Sequence, residues 1–279
     1  MTESKHAVGV DWASGYWLAV QYRDGKYDRV LIDQHFEPLW DSFDPKPDQL
    51  LVDVPIGLFD EADDETGERG RECDALARTV LGSRWSSVFT PPARQAAYEA
   101  VDDETNHATV SDTNREIVDK GLSIQAYHIA EGIADVDEFL RSEDGEASAE
   151  RRETIKEAHP EVCFAAFADE PLEHSKTSAV GFGERLTALE NVVDDPGETF
   201  RRISRDLLAY EDDHDVAAID PDDVLDALVL AIAAGADEDE QYTLPTHPPK
   251  DHHGIPMQMV YRAEKPFEAA VDADRAGDE

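Results

Sequence analysis

Apolar residues in the first fifth of the chain come in short runs and alternations, the pattern of strands rather than of helices. His6 to Trp12 (HAVGVDW) is one such run; Trp17 to Tyr22 and Lys26 to Ile32 follow, the last two joined by an Asp24-Gly25 turn, so an opening β-meander is predicted. Pro38 to Phe43 predicts a short helix. Gln49 to Val54 (QLLVDV) predicts a buried strand, apolar except for Asp53 and Gln49 and closed by Pro55 and Gly57. The period then becomes helical: Arg69 to Leu81 gathers Cys73, Leu76, Ala77 and Val80 on one face, and Ser111 to Leu140 carries a long pattern broken near Gly121. Residues 83–110 show no regular pattern, and Arg141 to Glu150 reads as a loop. Thr154 to Ala158 suggests a strand, Val162 to Phe167 a helical turn, and Glu184 to Val193 and Glu198 to Tyr210 amphipathic helices. Pro221 opens a helix to about Ala234, with Asp220 as N-cap and Gly235 as terminator. Met257 to Tyr261 suggests a last strand, and a polar, disordered acidic tail is expected from Glu268. With no repeat and no Gly/Ser linker, the chain reads as a single α/β domain over residues 1–267, with a helical insertion at about 60–150.

The late helix, Asp222-Asp223-Val224-Leu225-Asp226-Ala227-Leu228, is the strongest chemical signal. Acids in a first turn are ordinarily explained by the helix dipole, which suffices for Asp222 and Asp223. Asp226 lies a turn further in, on a helix apolar nearly all round, three residues from Asp223 and four from Asp222, where like charges repel. No Lys or Arg occurs between Arg205 and Lys250, so compensation must come from a distant segment or from a metal. Asp11 and Asp53 are each explained alone as turn or cap residues. As a pair at the carboxyl ends of two buried strands, they point to a shared site. If Asp223 and Asp226 join them, the result is a hard oxygen cage suited to Mg²⁺ or Mn²⁺.

Charge changes the picture of the surroundings. The chain has 64 acidic and 25 basic residues, a formal net charge of −39, spread along its length. Such a surface suits a halophilic protein, because at ~1 M salt the Debye length is only ~3 Å. It also weakens nucleic-acid binding at low salt, where phosphate attraction needs basic residues. No signal peptide and no span-length apolar segment is visible, so a soluble, cytoplasmic protein with no membrane partner is expected. Cys73 and Cys163 form no CxxC pattern and are expected to be buried thiols. His247, His252 and His253 sit in a Pro-rich loop without ligand spacing.

The order of GVDWA (Gly9 to Ala13), DVPIGL (Asp53 to Leu58), RECDALAR (Arg71 to Arg78), SVFTPP (Ser87 to Pro92), GLSIQ (Gly121 to Gln125), EAHPE (Glu157 to Glu161), SK (Ser175-Lys176) and DDVLDAL (Asp222 to Leu228) resembles domain of unknown function family 429. Its members are described as predicted nucleases with a ribonuclease H-like fold. The resemblance implies a mixed five-stranded sheet flanked by helices, and it puts Asp11, Asp53, Asp223 and Asp226 in the catalytic, metal-binding places of a two-metal phosphodiester hydrolase. It makes Glu157 or Glu161 a further ligand or base. Arg71, Arg78, Lys176 and Arg185 stand out among scarce basics: Lys176 and Arg185 are the candidates to bind substrate phosphate, although pairing with nearby carboxylates is the safer reading. Nucleic acid, DNA or RNA, is the expected partner, with Trp12, Trp17 and Trp85 as stacking candidates. The competing functions are an actin-like or sugar-kinase-like phosphotransferase and a non-catalytic binding or regulatory module.

The charge excess generates a first prediction. Dialysis from ~1 M to ~0.01 M salt, which lengthens the Debye length to ~30 Å, should abolish cooperative folding. Circular dichroism and melting temperature unchanged over that range would contradict a salt-adapted surface.

Overall fold

The computed structural model describes residues 5–60, 70–102, 104–142, 146–210 and 219–271. Strands β1 (His6–Ala13), β2 (Tyr16–Arg23) and β3 (Lys26–Asp33) form the predicted meander. Its two turns, Ser14-Gly15 and Asp24-Gly25, hold both central residues at positive φ (52° and 89°, 51° and 72°), the geometry that matches strand twist in a two-residue hairpin. Helix α1 (Phe36–Asp41) leads to β4 (Gln49–Val52), which pairs parallel with β1. Among the described residues, six α-helices lie between β4 and β5 (Ile155–Glu157): α2 (Glu72–Leu81), α3 (Arg94–Ala100), α4 (His107–Val118), α5 (Ile124–His128), α6 (Ala130–Arg141) and α7 (Glu146–Thr154). Helices α8 (Pro160–Ala168), α9 (Ala179–Glu190), α10 (Pro196–Leu207) and α11 (Pro221–Ala234) follow. The sheet order is β3-β2-β1-β4-β5, with β1, β4 and β5 parallel and β2 antiparallel to its neighbours. This is the mixed α/β sheet that the ribonuclease H-like resemblance implies.

Several expectations need correction. The unpatterned stretch 83–110 contains a 3₁₀ turn at Gly82–Ser87, helix α3 and the start of α4. In α3 the inward residue is Arg94, buried against Asp137, so a charge occupies the face that periodicity expects to be apolar. Arg141 to Glu150 was expected to be a loop, but its described part runs into α7. The expected turn at Val162 is a full helix, α8, opened by His159 as N-cap and Pro160 in its first turn. Its residues are apolar on all sides because α2, α9, α11 and β7 surround it. The last strand, β7 (Met259–Arg262), pairs with β6 (Gln241–Leu244) in a separate two-stranded sheet. Residues 268–271 are helical with Ala270 buried, so the expected tail does not begin at Glu268; 272–279, like Glu211 to Asp215, lie outside the described residues.

Alternation along β1 divides the core. Val8 and Val10 face Phe36, Leu50, Val52 and Phe139, whereas Ala7 and Ala13 face the side covered by α11. Gly9 lies on that second side, directly beneath α11. A Cβ there would run into the backbone N of Ala231 and O of Ala227, and would lie 2.7 Å from the carbonyl carbon of Leu230. The helix backbone rests on the strand backbone, a contact that only glycine permits. Gly9→Ala should therefore cost ~3 kcal/mol or more, because backbone cannot step aside as a side chain does. Gly235→Ala, whose Cβ would lie 3.4 Å from the carbonyl oxygen of Ile232 at an ordinary φ of −77°, should be close to neutral. Denaturant unfolding in high salt measures both; equal losses would refute the close-packing account.

Candidate functional site

The last parallel pair between β1 and β4 is Val10 with Val52, and the N–H of Asp53 donates to the carbonyl of Val10 at 2.9 Å. Asp11 and Asp53 thus stand side by side where the parallel ladder ends, with the Asp11 carboxyl within hydrogen-bonding reach of Asp53. Strand β1 itself does not end at Asp11; it continues to Ala13 against β2. Both aspartates share the face of Gly9 and Leu51, which α11 covers. Because Ala227 and Ala231 rest on Gly9, Asp226 is carried down beside Asp11. Asp223, a turn earlier, lies within electrostatic reach of Asp11 and Asp53, but its Oδ2 accepts the Asp220 N–H at 3.1 Å and closes the helix N-terminus.

Asp11 is 6% exposed and Asp226 2%, and Asp53 is half-buried. Burial, reinforced by the neighbouring carboxylates, pushes Asp53 and Asp226 from 3.8 to about 7, and Asp11 well above the carboxylate range. Burial also raises Asp223. Among the described residues, one cation answers this charge. The Lys176 ammonium donates to Asp226 Oδ2 and lies 3.4 Å from Asp222 Oδ2. Burial alone would lower the lysine, but Asp226, Asp11 and Asp53 outweigh it and hold it above the usual lysine range. Asp226 Oδ1 is buried with no hydrogen-bond partner among the described residues.

The structure separates the two glutamates that the sequence could not. Glu157 belongs elsewhere: Arg71 grips it with two hydrogen bonds of 2.7 Å, and its Oε2 also accepts the Ile56 N–H at 2.7 Å. A carboxylate so committed is a structural partner, and the expectation of a metal ligand there is withdrawn. Glu161 is the acid that reaches the site, contributing charge at both Asp53 and Asp226. The strand ends at Glu157 while Pro160 starts a helix, so the two side chains leave in different directions; the spacing EAHPE carries no sign of which turns inward. His159 N-caps that helix by accepting the Glu161 N–H at 3.2 Å, and burial lowers its pKa, so it acts as a neutral structural residue.

Arg185 is also corrected. It is 0% exposed, paired with Glu161 and donating to Gly181 O at 2.7 Å and His174 O at 3.3 Å, so no substrate phosphate can reach it. It holds Glu161 in place, with Arg84 3.8 Å from the same Oε1. Arg78 is spent on Val88 O and Thr90 Oγ1. Of the tryptophans, Trp17 is buried and Trp12 packs on it, whereas Trp85 is 59% exposed and adjoins Arg84. His252 and His253 lie 3.8 and 3.7 Å from Asp60, which Arg94 already engages.

Among the described residues, no three His, Cys, Asp or Glu side chains stand ready as a cage for a metal ion. Lys176 occupies part of that role at Asp226 and Asp222. The donors themselves are hard oxygens, and the unpartnered Oδ1 of Asp226 is the kind of atom a small divalent cation satisfies, so the residues fit Mg²⁺ or Mn²⁺ in chemistry.

No curated protein and no solved structure matches the chain. One family model does, over residues 9–250, which include Asp11, Asp53, Glu161, Lys176 and Asp226. The chain belongs to the family described as Protein of unknown function (DUF429).

Proposed function

We propose that the protein is a divalent-cation-dependent phosphodiesterase acting on nucleic acid, with Asp11, Asp53 and Asp226 as the binding carboxylates. The observation that carries this is the contrast between the site and two other buried ion clusters. Arg71 saturates Asp74 and Glu157, and Arg94 engages Asp60, Asp137 and Asp251; each is built around a guanidinium with paired donors. The aspartate site has a single ammonium for more carboxylates, and Asp226 Oδ1 is the only buried carboxylate oxygen without a partner among the described residues. A fold rarely leaves a buried acceptor bare, since that costs ~1–3 kcal/mol, unless something else occupies it in use.

A bound Mg²⁺ or Mn²⁺ would polarise the phosphoryl group and lower the pKa of a bound water. The chain's own groups do the rest. Lys176 Nζ, its side chain 35% exposed, can meet a phosphate oxygen, which Arg185 cannot. As a ligand to that ion Asp53, half-buried beside Asp11 where the parallel ladder ends, would be held ionised. Hydrolysis forms a bond from water oxygen to phosphorus, breaks that to the ester oxygen and delivers a proton to the leaving alcohol. Trp85 beside Arg84 offers a base-stacking surface, useful on a chain whose net charge of −39 otherwise repels phosphate. The phosphotransferase alternative wants glycines and Ser/Thr in the hairpin after β1, which Asp11-Trp12-Ala13-Ser14-Gly15 matches only in part. The binding or regulatory module remains the opposing outcome of the test below.

Asp226→Asn should reduce cleavage of labelled DNA or RNA at least ~100-fold and shrink the rise in melting temperature that Mn²⁺ gives the wild type. Without metal the sign depends on pH. A carboxyl raised from 3.8 to about 7 on folding stabilises the protonated folded state at low pH and loses that contribution as pH rises through 7. The mutant, lacking the titration, should therefore gain on the wild type between about pH 4 and about pH 7. A wild type without Mn²⁺-induced stabilisation or cleavage of either substrate would favour a binding module.

A further inference from the structure

We infer that Lys176 is a resident cation of the aspartate site, standing where a second divalent ion would otherwise be needed, so that the site takes one metal ion and not two. The inference rests on the phosphodiesterase proposal and replaces its two-metal form.

Three observations carry it. The first is how Asp226 divides its oxygens. Oδ2 is committed to the Lys176 ammonium, which also lies 3.4 Å from Asp222, whereas Oδ1 is buried and bare. One carboxylate therefore faces a cation the protein supplies and keeps one oxygen for a cation it does not. A carboxylate that bridged two metal ions through its two oxygens would need both of them free.

The second is that Lys176 is held in place. Its segment, between α8 and α9, is fastened to the start of α9: Ser175 O accepts the Ser178 N–H at 2.9 Å and the Ser178 hydroxyl at 2.8 Å, and Ser178 Oγ accepts the Gly181 N–H at 3.0 Å. Arg185 donates to His174 O at 3.3 Å from below. Gly181 has no Cβ because the same segment lies against it: a Cβ would clash with Ser175 O and sit 2.8 Å from His174 O. Surface lysines pay side-chain entropy to reach a partner, whereas this one is delivered to it by a clamped backbone.

The third is charge. Asp11, Asp53 and Asp226 surround one region, with Asp222, Asp223 and Glu161 close by. Glu161 already has Arg185 and Arg84. Lys176 plus one divalent ion would match the three innermost carboxylates charge for charge. A lysine ammonium is a compact point charge with three donors, so two can remain on Asp226 and Asp222 while the third meets a phosphate oxygen.

The test is calorimetric titration of the full chain with Mn²⁺ in ~1 M KCl after chelator treatment, so that screening is constant. Wild type should bind one ion, Lys176→Met should bind two, and Lys176→Arg, which keeps the charge, should bind one. Two ions on wild type, or only one on Lys176→Met, would overturn the inference while leaving the phosphodiesterase proposal standing. No Mn²⁺ on wild type would overturn both. The wild-type stoichiometry needs no variant, so a Lys176→Met chain that fails to fold, judged by circular dichroism, still leaves a decisive result; Lys176→Gln then replaces it.

Discussion

The site depends on one close contact, the backbone of α11 lying on Gly9 of β1. A helix normally stands about 10 Å from a sheet, spaced by side chains on both surfaces; here one layer of side chains is missing under Ala227 and Ala231. That absence lets Asp226, adjacent in sequence to Ala227, enter the plane where Asp11 and Asp53 emerge. Parallel pairing of β1 with β4 supplies the other half of the geometry, because register places Asp53 beside Asp11 on the same face. The chemistry follows from backbone packing before any side chain makes a specific bond.

Such packing is costly electrostatically. Carboxylates removed from water prefer to be neutral, which is why burial lifts Asp11, Asp53 and Asp226 so far. Elsewhere in the molecule the same cost is offset by arginines: Arg71 with two bonds to Glu157, and Arg94 with three acidic partners that tie α3 and α6 to the loop bearing Asp251. Those clusters are closed. At the aspartate site Lys176 offsets the charge only in part, and the remainder is what a divalent cation would neutralise.

Much of this was legible in the sequence, and for identifiable reasons. The strands announced themselves because β1 and β4 are buried on both faces, with one acid inside β1 and another directly after β4; α11 did so because Asp226 violates an otherwise apolar helix with no cation nearby in the chain. What was hidden depended on direction or on distant pairing. Glu157 and Glu161 differ in role only because a strand ends between them and a helix begins. Arg185 looked like a phosphate ligand because basics are scarce, but its fate was decided by Glu161, 24 residues away. Helix α3 escaped notice and α8 was read only as a turn, for opposite reasons: one carries a charge on its buried face, and the other, past Glu161, carries no polar face at all. Lys176 was singled out for substrate, and only the fold shows that it first meets Asp226.

The central claim is that these carboxylates, buried at a cost, exist to hold a cation. Anomalous diffraction from crystals grown with Mn²⁺ addresses it most directly, since the signal locates the ion without reference to activity. The account predicts a peak coordinated by carboxylate oxygens of Asp11 and Asp226, including Asp226 Oδ1, at the ~2–2.2 Å expected of a small divalent ion with oxygen ligands. Crystals saturated with Mn²⁺ that show no peak there, or show it only at His252, His253 and Asp60, would contradict it.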